Sequence, residues 1–170
     1  MGGISVLFLM SILSFMFFTF IAIFLAIIVY VIITYIFESI SIMNMSKNLQ
    51  YKATFAAWIP FYNKYLLSKI AGSKILGLIL TLFNIGTVCI GLYCYFQNEF
   101  NYIVFIMFLI CIFVGFILDI VVSHKIYINV TPKYGDILTV LSVLTFGILR
   151  PIFLFIIRNK INRENDKELI

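Results

Sequence analysis

Few residues of this chain could take part in chemistry, and two of them lie inside apolar segments. Asp119 falls near the end of one apolar run, and Arg150 lies within another. An ionised side chain is costly at membrane depth, so we predict that Asp119 and Arg150 form an intramembrane charge pair. Such a pair could clasp two helices together or contribute to a substrate path. Snorkelling of each side chain to the nearer interface is the alternative.

The remaining reactive side chains form no recognisable site. His124 is the only histidine, and no cluster of histidine, cysteine and carboxylate surrounds it. Ser123 precedes it directly, so the two side chains cannot readily face each other as a nucleophile and its base. The three cysteines fall inside apolar runs, where they behave as small apolar residues. The sequence therefore predicts no catalytic residue, no metal site and no cofactor.

Four apolar runs indicate the fold. They cover residues 4–37, 75–96, 102–122 and 137–157. A spanning helix needs ~20 mostly apolar residues, because the hydrocarbon layer is ~30 Å thick. The chain is 64% hydrophobic and 11% charged, far from the balance of soluble domains. We predict an all-α, polytopic integral membrane bundle in one domain (residues 1–170), with about four membrane helices plus an interfacial amphipathic helix.

The basic residues predict an orientation. They account for the net charge of +5 and lie between the apolar runs, which is typical of membrane topology and argues against nucleic-acid binding. The lysine-rich segment 38–74 is predicted to be cytoplasmic, and so is 123–136, whereas 97–101 suits the outside. The last run leads to a polar tail, 158–170. Because Gly147 and Pro151 bracket Arg150, we favour a full but kinked span for this run over a re-entrant segment.

The segment 38–74 contains the densest local signal. Pro60 suits the first turn of a helix, and Gly72 suits its end. Aromatic rings and lysines along this helix fit the membrane interface, so it either anchors the bundle there or presents a binding surface. The candidate partner or lipid contacts are Trp58, Tyr62, Asn63, Lys64 and Lys69.

The same segment carries a resemblance. Ala57-Trp58-Ile59-Pro60, followed by Asn63, Tyr65, Leu67 and Lys69-Ile70-Ala71-Gly72, resembles a segment of small multipass bacterial membrane proteins without an assigned function. The stretches 135–138 and 147–153 are similar to the way some of these proteins end. The resemblance implies a compact helical protein of the bacterial cytoplasmic membrane, and it implies no activity.

Two functions remain open at this level. The first is a non-enzymatic accessory, immunity-type or partner-binding subunit that presents the face of residues 51–74. The second is a small transporter or channel subunit, which would need to act as an oligomer because four spans are few. The lipid bilayer is a partner in either case. A protein partner or a second copy of the chain would bind through the helix faces.

Overall fold

The computed structural model describes residues 2–52, 54–97 and 101–161, and every regular element in these ranges is helical. The predicted all-α class is confirmed. Three of the described helices are long and apolar enough to cross a membrane, so the chain is a membrane protein. The elements are α1 (Gly2–Asn48), a 3₁₀ helix (Thr54–Trp58), α2 (Tyr62–Ile70), α3 (Lys74–Phe96), α4 (Tyr102–Val130), α5 (Gly135–Leu144) and α6 (Arg150–Ile157).

Helix α1 changes its surroundings along its length. Every side chain from residue 8 to residue 33 is exposed, and the chain divides into two compact units after Ile36. Beyond that point Ile42, Met45 and Leu49 are buried, at the spacing of one helical face. Helix α1 therefore continues 11 residues past residue 37, where its apolar run ends. Polar residues follow that position, but they lie inside the protein and do not interrupt the helix.

Helices α3 and α4 form an antiparallel hairpin. α3 begins within one residue of the predicted span. Asn101 caps α4, and its side-chain oxygen accepts a hydrogen bond from the Ile103 backbone N–H at 3.0 Å. α4 continues to Val130, past the predicted end at residue 122, because Ile126 and Tyr127 are buried one turn further on. The residues that pack against the C-terminal part of α4 therefore determine where this helix ends.

The last apolar run is not one helix. α5 and α6 are ten and eight residues long, or about 15 Å and 12 Å, so neither spans a ~30 Å layer. Gly135 lies against Ile128 of α4, and Gly147 lies against Phe116, so α5 runs antiparallel to α4. After Gly147 the chain turns back.

Contacts of α6 establish its direction. Arg150 hydrogen-bonds Ser123, and the ring of Phe153 packs edge-on against Tyr127, so α6 runs parallel to α4. The full, kinked span that we favoured for 137–157 is therefore wrong, and the run is a helical hairpin. The structure consequently describes three candidate spans where the sequence suggested about four.

The turn between α5 and α6 has a backbone reason. Phe146 and Gly147 both have positive φ values, +50° and +81°. The Gly147 N–H donates to the Ser142 carbonyl at 2.7 Å, and the Phe146 N–H donates to Val143, which is the Schellman ending of a helix. Two successive left-handed residues reverse the chain within a few residues. Pro151 then lies in the first turn of α6. A backbone N–H at this position would have no partner within the helix, so the missing N–H of proline costs nothing.

The second unit has a small apolar core, which lies around the C-terminal part of α1. α2, the second half of α4 and α6 surround it. Its fully or nearly fully buried members include Ile42, Met45, Ala57, Leu66, Leu67, Leu80, Val122, Ile126, Tyr127, Leu154 and Ile157.

The hairpin predicts the side of the membrane on which residue 160 lies. In a background without Cys89, Cys94 and Cys111, we expect a cysteine at Lys160 to react with an impermeant thiol reagent from the same side as one at Lys133. A cysteine at Gln97 should react from the opposite side, because α4 crosses the membrane once between residues 97 and 133. Labelling of residues 97 and 160 from one side would contradict a hairpin.

Candidate functional site

The position of α2 determines where the polar side chains of the second unit meet. Phe61 adopts a left-handed conformation (φ +66°) just before the helix starts, and Gly72 adopts one just after it ends. A Cβ at Gly77 of α3 would lie 3.0 Å from the Ser68 Cβ, an unusually tight contact, so glycine at this position favours the close packing of α2. This close approach places the polar side of α2, with Lys64, toward α1 and α4.

Four charged side chains from four helices meet there. Lys64 Nζ lies 2.8 Å from Glu38 Oε1 and 2.9 Å from Asp119 Oδ2. Arg150 Nη2 lies 2.9 Å from the same Glu38 oxygen, and Arg150 Nη1 lies 3.2 Å from Asp119 Oδ1. Each acid therefore contacts both bases. We call these four residues (Glu38, Lys64, Asp119 and Arg150) the ionic ring.

The ionic ring is electrically neutral, with two acids and two bases. Burial of an isolated charge costs several kcal/mol, and a nearby opposite charge compensates this only when the geometry is close. The Arg150 and Glu38 side chains are only 6% and 8% exposed, whereas Lys64 and Asp119 are 15% and 20% exposed. The ring thus has one enclosed side and one side open to its surroundings.

Neighbouring hydroxyl groups hold Arg150 in place. Its Nη1 donates to Ser123 Oγ at 3.3 Å, one turn along α4 from Asp119. The Tyr127 hydroxyl, fully buried, donates to the Arg150 backbone carbonyl at 3.4 Å and lies equally far from Ser142 Oγ. The guanidinium and the backbone of the same residue are therefore both tied to α4.

The depth of the ring follows from the length of α4. Asp119 lies 17 residues after Tyr102, the first residue of that helix, or about 25 Å along its axis. If the apolar layer is ~30 Å thick and begins at Tyr102, the ring lies just inside its far boundary. Charges at this depth need partners, and the ring supplies them.

The structure brings together the predicted Asp119 and Arg150, and it adds two members that the sequence did not indicate. In the sequence, Glu38 lies just past the apolar part of the first helix, and Lys64 is predicted to contact a partner or lipid. The number of charges could have pointed to a further member. Glu38, Asp119 and Arg150 lie in or near apolar segments, and two acids with one arginine need one more positive charge for neutrality. No spacing rule, however, identifies the lysine that supplies it.

The predicted contact surface on α2 is corrected by the same geometry. Asn63 is only 4% exposed, and Lys64 belongs to the ionic ring, so neither faces outward. The helix is enclosed on its polar side because that side meets the buried carboxylates. Of the other predicted contacts, Tyr62 is exposed, Trp58 is half-buried, and Lys69 lies 4.4 Å from the centre of the Tyr51 ring.

Other groups that could bind a ligand are dispersed. Within the described ranges, no three histidine, cysteine or carboxylate side chains lie close enough together to hold a metal ion. His124 Nδ1 lies 2.8 Å from Thr139 Oγ1 of α5, so it joins two helices. The ionic ring is therefore the main polar centre of this part of the chain.

The ring makes a prediction about stability. Arg150→Met leaves two carboxylates facing one ammonium group, and we expect the free energy of unfolding to fall by ~3–5 kcal/mol. The double variant Asp119→Asn/Arg150→Met restores neutrality. Its free energy of unfolding should fall by less than the sum of the losses in the single variants Asp119→Asn and Arg150→Met. Equilibrium unfolding in mixed micelles measures the free energy of unfolding of the two single variants and the double variant. The exposed Lys47→Gln serves as control, with a change within about 0.5 kcal/mol. Strictly additive losses would contradict a coupled ring.

Comparison with protein-family models, with curated proteins and with solved structures finds no match for this chain.

Proposed function

We propose that this chain is a non-enzymatic subunit of the bacterial cytoplasmic membrane that works by contact with another membrane protein. It crosses the bilayer several times and uses the apolar part of α1, residues 8–36, as its contact element. The role is that of an accessory or immunity-type protein.

The exposure of α1 carries this proposal. Side chains 8–33 are exposed all around the helix, and they form part of a separate unit. A helix that is apolar on every side is stable only when lipid or other protein surrounds it. Residues 8–36 extend for about 43 Å, more than one crossing requires. This stretch is available to a partner in the membrane.

The charged groups support contact over chemistry. The four members of the ionic ring are within 3.2 Å of their counter-charges. A general acid or base needs to reach a substrate proton, and a group engaged by two partners is poorly placed for it. The ring instead joins α1, α2, α4 and α6 into one scaffold.

One side of the exposed helix suits a close neighbour. Ala22 and Ala26 are four residues apart, and Thr19 lies on the same side. Small residues let two membrane helices approach closely, which favours association in lipid. Val31 lies about 180° around the helix from Ala22 and provides a comparison on the opposite side.

Replacement of the contact element tests the proposal. The wild-type chain should co-purify a discrete membrane protein from its native membrane. Ala22→Phe should reduce the recovery of that protein about tenfold, because a ring at this position prevents close approach. Val31→Phe is the matched control and should have no effect.

A second variant separates contact from anchoring. In it, a leucine–alanine helix of equal length replaces residues 8–36. Loss of the partner from this variant supports a specific contact. Full retention would show that α1 only anchors the chain, and co-purification of no protein with the wild type would also end the proposal.

A transporter or channel subunit, acting as an oligomer, is the second candidate. The observation that favours it is the open side of the ionic ring, where Asp119 and Lys64 are partly exposed. The α5–α6 hairpin ends beside this ring and could line a path for a solute.

Flux measurements test this second candidate. Purified wild-type chain in liposomes should conduct K⁺ or H⁺, measured with ion-sensitive dyes, and Asp119→Asn should abolish the flux. The thermal stability of the variant, measured in parallel, distinguishes lost transport from lost structure. The absence of wild-type flux, or an unchanged flux in a folded variant, would remove this function.

A further inference from the structure

Three exposed lysines lie at the same end of the second unit. Lys125 Nζ of α4 donates a hydrogen bond to Ser73 Oγ at 2.7 Å, and Lys74 follows Ser73 at the start of α3. Lys133 lies in the turn after α4, where Gly135 packs against Ile128. All three side chains are exposed. We call Lys74, Lys125 and Lys133 the boundary lysines.

Each boundary lysine adjoins an exposed apolar face on its own or the following helix. For Lys74 and Lys125, large exposed side chains lie at intervals of four residues along the same helix, and so on the same side of it. For Lys133, in the turn before α5, they lie in the first turns of that helix. The faces are Leu78 and Leu82 after Lys74, Val121 and Ile117 before Lys125, and Ile137 and Val140 after Lys133. The change from exposed apolar to exposed basic side chains therefore occurs at this level on three helices.

We propose that the boundary lysines bind the phosphate groups of anionic phospholipids at one face of the membrane. The apolar faces contact the acyl chains, and each lysine meets the headgroup of a lipid lying against its helix. The opposite end of the α3–α4 hairpin differs, since the exposed residues Gln97 and Asn101 are uncharged. The protein thus distinguishes the two sides of the bilayer by charge.

The position of the lysines favours lipid over an acidic protein. Lys74 and Lys125 belong to α3 and α4, Lys133 to the turn before α5, and each lies next to an exposed apolar face. A lysine near an anionic membrane surface is attracted to it, and its long apolar stem suits this boundary. This inference is independent of the proposed partner of α1, because it concerns other helices.

The test compares two lipids around the reconstituted protein. Electron paramagnetic resonance of spin-labelled phosphatidylglycerol and phosphatidylcholine measures their relative association with the wild-type chain. We expect a preference of about threefold or more for phosphatidylglycerol, reduced by high salt. The variant Lys74→Gln/Lys125→Gln/Lys133→Gln should bind both lipids alike, and the corresponding arginine variant should keep the preference.

A charge-matched comparison makes the test specific. Lys47→Gln/Lys52→Gln removes two exposed positive charges of the second unit that lie outside α3, α4 and the turn before α5, and it should keep the preference. Lys74→Gln/Lys125→Gln removes two boundary lysines, and it should lose most of the preference. Equal losses in the two pairs would overturn the proposal in favour of a diffuse charge effect. No preference in the wild type would overturn it in favour of a water-soluble acidic partner.

Discussion

The arrangement of the second unit depends on the need to neutralise charges away from water. Glu38, Lys64, Asp119 and Arg150 come from four helices, and each is acceptable in this place only because its counter-charges lie within 3.2 Å. A displacement of any one helix would leave another helix with an uncompensated charge, at a cost of several kcal/mol. The ring therefore determines which helices are neighbours and at what height they meet.

This constraint explains why the ends of several helices differ from the limits of their apolar runs. α1 continues past its last lipid-like residue because its polar continuation faces the ring and the core around Met45. α4 continues because Tyr127 is enclosed and reaches the Arg150 carbonyl. The chain reverses after α5, and this reversal brings Arg150 to the acids. Satisfaction of polar groups, more than hydropathy, decides where these helices end.

The two units of the chain use their surroundings in different ways. Residues 8–33 expose apolar side chains on every side, as a helix within lipid or against a partner does. The second unit buries an apolar core near one end and exposes apolar faces on α3, α4 and α5. An exposed apolar helix, a neutral ionic ring and exposed lysines thus occur within one small chain.

The sequence by itself determined the class of the protein and most of its long helices. Runs of apolar residues such as 75–96 exclude water-soluble folds, because a bilayer is the only solvent that accepts them. It also singled out Asp119 and Arg150, since charge within apolar runs requires a reason. Tertiary structure alone decided that Lys64 points inward, that Glu38 belongs to the same ring, and that 137–157 folds back. The physical reason is that hydropathy records the preference of each residue for its solvent, whereas the pairing of charges depends on distances between helices that are far apart in the chain.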